Sequence, residues 1–142
     1  MISAHDALGL LPELPENPDA FAELPVVARV ASVAVLKEFE QLQDTLNALF
    51  RTTLRALGVR LKGLYPLDIG HRMEELDVLD DADRWLAIVM LRNELVHEYP
   101  TEAVDRVARL RAAIGHFPFL FDAAARIERA IERHDLMKGQ TS

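Results

Sequence analysis

Residues 82–100 read ADRWLAIVMLRNELVHEYP, and this stretch decides the fold class. The run from Leu86 to Leu91 is apolar throughout, which leaves no face for solvent if the segment is helical. We therefore predict a helix that begins near Ala82 and that other helices surround. Pro100 disfavours helical geometry at the residue before it, so the helix is expected to end near Tyr99.

Apolar residues recur at helical spacing on both sides of this segment. Before it, the pattern predicts a long helix over residues 26–57, with Gly58 as its stop, and a short helix over residues 69–79. After it, a helix from Thr101 is expected to be interrupted near Gly115 and Pro118, and a last one to run to about Leu136. The stripe of the long helix consists of Val35, Phe39, Leu42, Leu46 and Leu49, continued by Phe50, Leu54 and Leu57. No stretch alternates with the period of a strand, so the prediction is an all-α bundle of four to five helices.

Residues 1–25 differ from the rest of the chain. They hold four of the seven prolines and no lysine or arginine, although they include apolar runs such as Leu8-Gly9-Leu10-Leu11. We predict an irregular or briefly helical arm that packs on the body, with fraying as the alternative. Residues 26–137 are then one helical domain, and residues 138–142 are expected to be a disordered tail.

Composition restricts the class of function. The 142 residues are 50% hydrophobic and 27% charged, which is typical of a soluble globular domain. With no cysteine, the chain has no disulfide, thiolate metal site or cysteine nucleophile. The formal net charge of −7 argues against non-specific coating of nucleic acid, although a local basic site is compatible with it.

Targeting signals are not evident in the sequence. The first lysine or arginine is Arg29, so the basic start of a secretory signal is missing. No apolar run approaches the roughly 18 residues that suggest a membrane span. We therefore expect a cytoplasmic protein that does not bind membranes.

Four polar residues lie together at the end of the central helix: Arg92, Asn93, His97 and Tyr99. Asn93 and His97 are four residues apart and share a face, as do Arg92 and Tyr99, which are seven apart. Arg92 and His97 are five apart and point about 140° from one another in a regular helix. Unwinding of the helix end before Pro100 would help them to converge, and so would a symmetric dimer.

The spacing Arg92-Asn93-x-x-x-His97-x-Tyr99 resembles the signature of HEPN domains, specifically that of the HepT-like toxins. Their motif is Arg-x4-His-x-Tyr, commonly with a polar residue such as Asn after the Arg. The resemblance covers about residues 26–136, and its specificity lies in residues 92–99. The arm over residues 1–25 has no counterpart in it.

The resemblance implies a metal-independent endoribonuclease that needs no cofactor, acts as a homodimer and is neutralised by a minimal nucleotidyltransferase antitoxin. By the same resemblance, Arg92 and His97 form the cleavage site at the dimer interface. Asn93 supports them by orienting a phosphate, a base edge or the His97 ring. Tyr99 corresponds to the residue that the nucleotidyltransferase modifies with AMP, which silences the toxin.

The chemistry suits these residue types. RNA supplies its own nucleophile, the 2′-OH, so the protein needs a proton acceptor and a group that stabilises charge developing on the phosphate. A histidine exchanges a proton near neutrality, and an arginine binds two phosphate oxygens at once. AMP on Tyr99 would add bulk and negative charge beside Arg92 and repel the RNA backbone.

Other interpretations stay open. Arg92 and His97 would also suit capping of a helix C-terminus, where the dipole favours cations. A non-catalytic HEPN module would hold a nucleotide or substrate for a separate nucleotidyltransferase. The third alternative is a structural helical dimer in which the motif is fortuitous.

Charged and aromatic clusters elsewhere have two interpretations each. Four basic residues lie in a stretch without acids between Asp44 and Asp68, and they suit either guidance of an RNA strand or an ordinary solvated face: Arg51, Arg55, Arg60 and Lys62. The acidic run over residues 74–83 suits a helix N-terminus or a basic partner. Phe117, Phe119 and Phe121 are predicted core or dimer contacts rather than platforms for stacking RNA bases. No metal site is predicted, because the remaining histidines lack ligand spacing.

Overall fold

The structure, a computed structural model, describes residues 26–97 and 103–134, with the backbone alone for Ala28, Arg29 and residues 103–106. These residues form four α-helices: α1 (Val26–Ala56), α2 (Pro66–Glu75), α3 (Ala82–His97) and α4 (Ala103–His134). The described ranges contain no strand, which confirms the predicted all-α class. The predicted arm, Tyr99 and the predicted tail lie outside the described residues. None of the four helices has the length and apolar content of a membrane span.

The described residues divide into two compact units. The first contains residues 26–42, 90–97 and 103–117, and the second contains residues 43–89 and 118–134. In the first, the ring of Phe39 packs edge-on against Phe117, with ring centroids 6.1 Å apart. In the second, Phe50 packs against Trp85 with centroids 4.8 Å apart. Each unit therefore has an aromatic centre, and most of the predicted α1 stripe is buried: Val35, Phe39, Leu46, Phe50 and Leu54.

The end of α1 follows from one glycine. Gly58 has φ +84°, a left-handed conformation that glycine adopts without steric cost. Its N–H donates to the carbonyl of Arg55 at 3.0 Å, and the N–H of Val59 donates to the carbonyl of Leu54 at 2.9 Å. This pair of bonds is a Schellman motif, which satisfies carbonyls that a helix end leaves open. Gly58 is therefore the stop that the sequence predicts.

The end of α2 differs from its prediction. The helix stops at Glu75 rather than near residue 79, because Asp77 takes φ +61°. The N–H of Asp77 donates to the backbone carbonyl of Glu74 at 3.0 Å, and the N–H of Val78 donates to that of Met73 at 2.9 Å. These bonds repeat the Schellman motif of α1, with aspartate in place of glycine. The chain turns there and buries Val78.

The start of α3 is capped by two carboxylates. The carboxylate of Asp81 accepts a hydrogen bond from the N–H of Arg84 at 3.1 Å, as the sequence predicts for a helix N-cap. The carboxylate of Glu74, in α2, accepts from the N–H of Ala82 at 3.0 Å and also contacts Nδ1 of His71 at 3.0 Å. The hydrogen bond to Glu74 raises the pKa of His71, and the same bond, followed by the one from Ala82, lowers the pKa of Glu74.

The predicted interruption of α4 is wrong. The helix is continuous from Ala103 to His134 with Pro118 inside it. Proline removes one backbone donor and crowds the preceding turn, but burial of Phe117 and Leu120 on either side holds the segment helical. The predicted core role is confirmed for Phe117, whereas Phe119 is half-buried beneath the Arg84 guanidinium, 5.1 Å from the ring centroid, and Phe121 is exposed.

Candidate functional site

The motif residues occupy the last turns of α3. Leu91 and Leu95 are buried and fix that end of the helix against the core. Arg92 lies at the edge of the core face and is half-buried, whereas Asn93 and His97 are exposed. The candidate site therefore has one anchored cation and two solvent-facing polar groups.

The prediction that α3 has no solvent face is wrong. Ala87 is exposed, and Met90 is 54% exposed on the same side as Asn93 and His97. An apolar residue is not obliged to be buried, and the core needs only the opposite face, which Trp85 and Ile88 supply. Met90 thus extends the face that the sequence predicts for Asn93 and His97, and the three residues form an exposed strip on α3.

Arg92 is held by its neighbours. One terminal nitrogen of its guanidinium lies 3.4 Å from Oδ1 of Asn93, a long and hence weak hydrogen bond. The residue takes part in further interactions as well. Its Nε is buried, so the side chain cannot swing freely into solvent. Asn93 therefore contacts Arg92 rather than the His97 ring, and its role in orienting a phosphate or a base edge stays a prediction.

Arg92 and His97 are not brought together within one chain. The helix is α-helical through His97, so the unwinding that would let them converge does not occur over residues 92–97. In the part of the chain that the structure describes, no hydrogen bond or ion pair joins the two side chains. Regular geometry leaves them about 140° apart around the helix axis.

A second arginine near the motif was missed by the sequence reasoning. Nε of Arg109, in α4, lies 3.6 Å from a carboxylate oxygen of Glu94, which is two residues after Arg92. The ion pair joins the motif segment of α3 to α4 within the first unit. In the sequence, the only indication of this ion pair is that Arg109 and Glu94 are charged residues on helices predicted to be neighbours. That indication does not predict which charged residues form a pair.

The basic stretch lies elsewhere, in the second unit. Arg51 is half-buried on α1, while Arg55 on α1 and Arg60 and Lys62 in the following loop are exposed. Tyr65, 74% exposed, stands at the start of α2, where its N–H donates to Asp68 at 2.8 Å. Residues 45–67 contain no acidic residue, so the charged side chains of this segment are all basic.

The acidic run has an internal partner that the sequence did not indicate. Arg126 of α4 donates to the carboxylates of Asp77 at 2.7 Å, Asp80 at 2.8 Å and Asp122 at 3.2 Å, and to the carbonyl of Asp77 at 2.8 Å. Burial alone would lower the pKa of Arg126, but these hydrogen bonds raise it above its ordinary value. The predicted basic partner of this run is thus partly a residue of the same chain.

A shallow cavity of about 380 Å³ lies beside this cluster. Its lining mixes three arginines with two acids: Asp77, Arg126, Arg129, Glu132 and Arg133. Because Arg126 is already engaged by three carboxylates, the surface has no excess of positive charge to attract a phosphate. Among the described residues, no three His, Asp or Glu side chains are placed to hold a metal ion.

Comparison with known proteins adds no relative. No family model matches the sequence, and neither the curated proteins nor the solved structures gave a match.

Proposed function

We propose that this chain is a HepT-like HEPN toxin, a metal-independent endoribonuclease that works as a symmetric dimer in the cytoplasm. One observation carries the proposal: the register of Arg92, Asn93 and His97 on the final turns of a helix in an all-α fold. The exposure of His97 fits a proton carrier that solvent reaches, and the partial burial of Arg92 fits a fixed cation.

The reaction needs no group from outside the protein and its substrate. The RNA 2′-oxygen attacks the adjacent phosphorus, the bond from phosphorus to the 5′-oxygen breaks, and the products are a 2′,3′-cyclic phosphate and a 5′-hydroxyl. His97 takes the proton of the 2′-OH, and the departing 5′-oxygen takes a proton from water. A histidine suits this transfer because its imidazole exchanges protons near neutral pH.

Arg92 stabilises the transition state. Negative charge builds on the non-bridging phosphate oxygens during attack, and a guanidinium binds two such oxygens at once. Its contact with Asn93 and its half-buried stem support this role, because a side chain that is already oriented loses less entropy when the phosphate arrives.

The second copy of the chain supplies what one copy lacks. Because α3 holds Arg92 and His97 on different sides, a composite site across two copies is the arrangement that serves the chemistry. The exposed side chain of Met90, on the face of Asn93 and His97, offers apolar surface for that contact. Arg55, Arg60 and Lys62, with Arg51, are the candidates for guiding the RNA strand outside the cleavage site.

Regulation in the proposal acts on the same end of α3. A minimal nucleotidyltransferase antitoxin transfers AMP from ATP to the hydroxyl of Tyr99, two residues beyond His97, and pyrophosphate leaves. The added phosphate brings negative charge beside the site and repels the RNA backbone. Mass spectrometry of the chain after co-expression with its cognate partner tests this step, and an unmodified Tyr99 in a neutralised complex would exclude it.

RNA cleavage by the purified protein is the first test. We expect His97→Ala and Arg92→Ala each to reduce cleavage by about 100-fold or more, the usual contribution of a general base or a charge-stabilising donor. His134→Ala and Arg129→Ala are matched controls, since both residues are exposed on α4 outside the motif, and they should cleave at the unaltered rate. Equal cleavage by all five proteins would remove Arg92 and His97 from catalysis.

A second measurement isolates the nucleophile. Substrates with a 2′-deoxy residue at the cleaved position should resist, and the normal product should carry a 2′,3′-cyclic phosphate. A chelator should leave the rate unchanged. Cleavage of the deoxy substrate would show that water attacks instead and would contradict the mechanism.

One structural observation favours a different candidate, a non-catalytic HEPN module that presents a nucleotide or substrate to a nucleotidyltransferase. That observation is the separation of Arg92 and His97 within the chain, which binding tolerates and single-chain catalysis does not. Expression without the cognate partner distinguishes the two, because a toxin arrests growth and a binding module does not.

A further inference from the structure

The first two turns of α1 expose four valines. Val26, Val27, Val30 and Val33 are between 54% and 64% exposed, although valine is among the residues most often buried. Three of them, at positions 26, 30 and 33, follow one another at spacings of four and three and form a stripe along one face.

This valine stripe lies on the side opposite the core. At 100° per residue, positions 26, 30 and 33 lie about 140° to 180° from Val35, which the core buries. The start of α1 is therefore apolar on two sides, a pattern typical of a helix covered on both. Farther along the same outward face the residues are polar, as at Lys37, Gln41 and Asp44.

The size of the stripe restricts what covers it. Four half-exposed valines present a few hundred Å² of apolar surface, the scale of a functional patch on a monomer. A stable dimer needs about 800 Å² from each partner, which exceeds the two turns of this stripe. A segment of the same chain avoids the entropic cost of bringing two molecules together, so a patch of this size suits it better.

We propose that residues 1–25 fold back and cover the valine stripe. The segment joins α1 at Val26, the first residue of the stripe, and contains the apolar residues Leu8, Leu10 and Leu11. Twenty-five residues reach roughly 80 Å when extended, whereas the stripe is only about 10 Å long, so the connection leaves ample chain for a reversal. Burying leucine against valine then stabilises both surfaces by removing them from water.

Charge also favours this occupant. Residues 1–25 carry five of the 23 acidic side chains and no lysine or arginine, so most of the net charge of −7 lies in this segment. Lys37 follows the stripe on the same face of α1; its side chain is 67% exposed, and its amine lies 4.0 Å from the carboxylate of Glu40. An acidic segment that lies along the stripe would be attracted to Lys37, which lies just beyond the C-terminal end of the stripe.

Thiol labelling of the full chain tests the proposal. The sequence has no cysteine, so Val30→Cys introduces the only thiol, and Gln41→Cys is the matched control on the same outward face beyond the stripe. We expect a maleimide to label position 30 about tenfold more slowly than position 41, which corresponds to about 1.4 kcal/mol of coverage. Replacement of Leu8, Leu10 and Leu11 by serine should make the two rates equal.

The alternatives give different results. Equal rates before any change in residues 1–25, or slow labelling that survives the three serines, would overturn the proposal. Protection that increases with protein concentration would assign the stripe to a second copy and would overturn it too.

Photocrosslinking identifies the occupant directly. A benzophenone amino acid at position 33, in an equal mixture of isotopically light and heavy chains, should crosslink to residues 1–25 of its own chain. Crosslinks between light and heavy chains, or to residues after 25, would contradict the assignment even if the serine variant failed to fold.

Discussion

Arg126→Met tests whether one arginine holds the turn after α2 against α4. The substitution keeps a long apolar side chain and removes four hydrogen bonds, three to carboxylates and one to the carbonyl of Asp77. The Arg126 side chain is only 13% exposed, but its three carboxylate partners are mostly exposed, so each ion pair contributes about 0.5–1 kcal/mol. With about 1 kcal/mol for the bond to the carbonyl, the free energy of unfolding should fall by about 2.5–4 kcal/mol.

Thermal unfolding followed by circular dichroism measures this loss. For a chain of this size, we expect Tm to fall by about 8–13 °C. Arg129→Met is the matched control, because Arg129 lines the same cavity one turn later and is exposed. Since salt screens exposed charge pairs, the difference between the two variants should shrink in 1 M NaCl. Equal stability of the two variants at low salt would refute the reasoning.

Three further predictions concern the contact of α2 with α3 and an open position in α4. A Cβ at Gly70 would lie 3.0 Å from the Cβ and 3.2 Å from the Cα of Ala82, so Gly70→Ala should destabilise the fold by about 1–2 kcal/mol in urea titrations. Gly115→Ala, in an open part of α4, should instead stabilise it by about 0.5–1 kcal/mol, and the same sign for both would contradict the steric argument. The hydrogen bond to Glu74 raises the pKa of His71 above its ordinary value of 6.5. The protonated ring therefore stabilises the fold fully at pH values below 6.5. This stabilisation is lost as the pH rises through the raised pKa. The urea midpoint of His71→Gln should therefore lie farther below that of the unaltered chain at pH 5.5 than at pH 8, and a constant difference would exclude the linkage.

Much of the fold was predictable because it depends on local periodicity and capping. The α1 stripe, the stop at Gly58 and the cap at Asp81 are encoded within a few residues of where they act. The end of α2 was not predictable, since no glycine marks it and Asp77 takes the left-handed conformation instead. The continuity of α4 through Pro118 depends on burial of the flanking side chains, which a local breaker rule does not include.

For the candidate site, the sequence predicts which residues share a face of the helix but not which residues of other helices contact them. Spacing along one helix places Asn93 and His97 on a shared exposed face, as the structure has them. Contacts between helices have no such local signature. Arg109 reaches Glu94 from another helix, and Arg126 reaches Asp77 across 49 positions of sequence. The exposure of Met90 also escaped prediction, because apolar composition does not say how many sides of a helix the core can cover.

The helices α1 and α2 each end at a residue with positive φ, but the two ends have different consequences for the order of folding. Gly58 needs nothing distant, so the end of α1 can form as soon as its last turn forms. Asp77 carries a side chain in the left-handed conformation that glycine adopts more readily. Its carboxylate is held by a hydrogen bond from Arg126, which lies 49 residues later. The boundary of α2 is therefore secured only after the second half of α4 has docked, so a long loop must close before this local turn becomes stable. The end of α1 thus depends only on its own segment, whereas the end of α2 also depends on a residue that the ribosome adds much later.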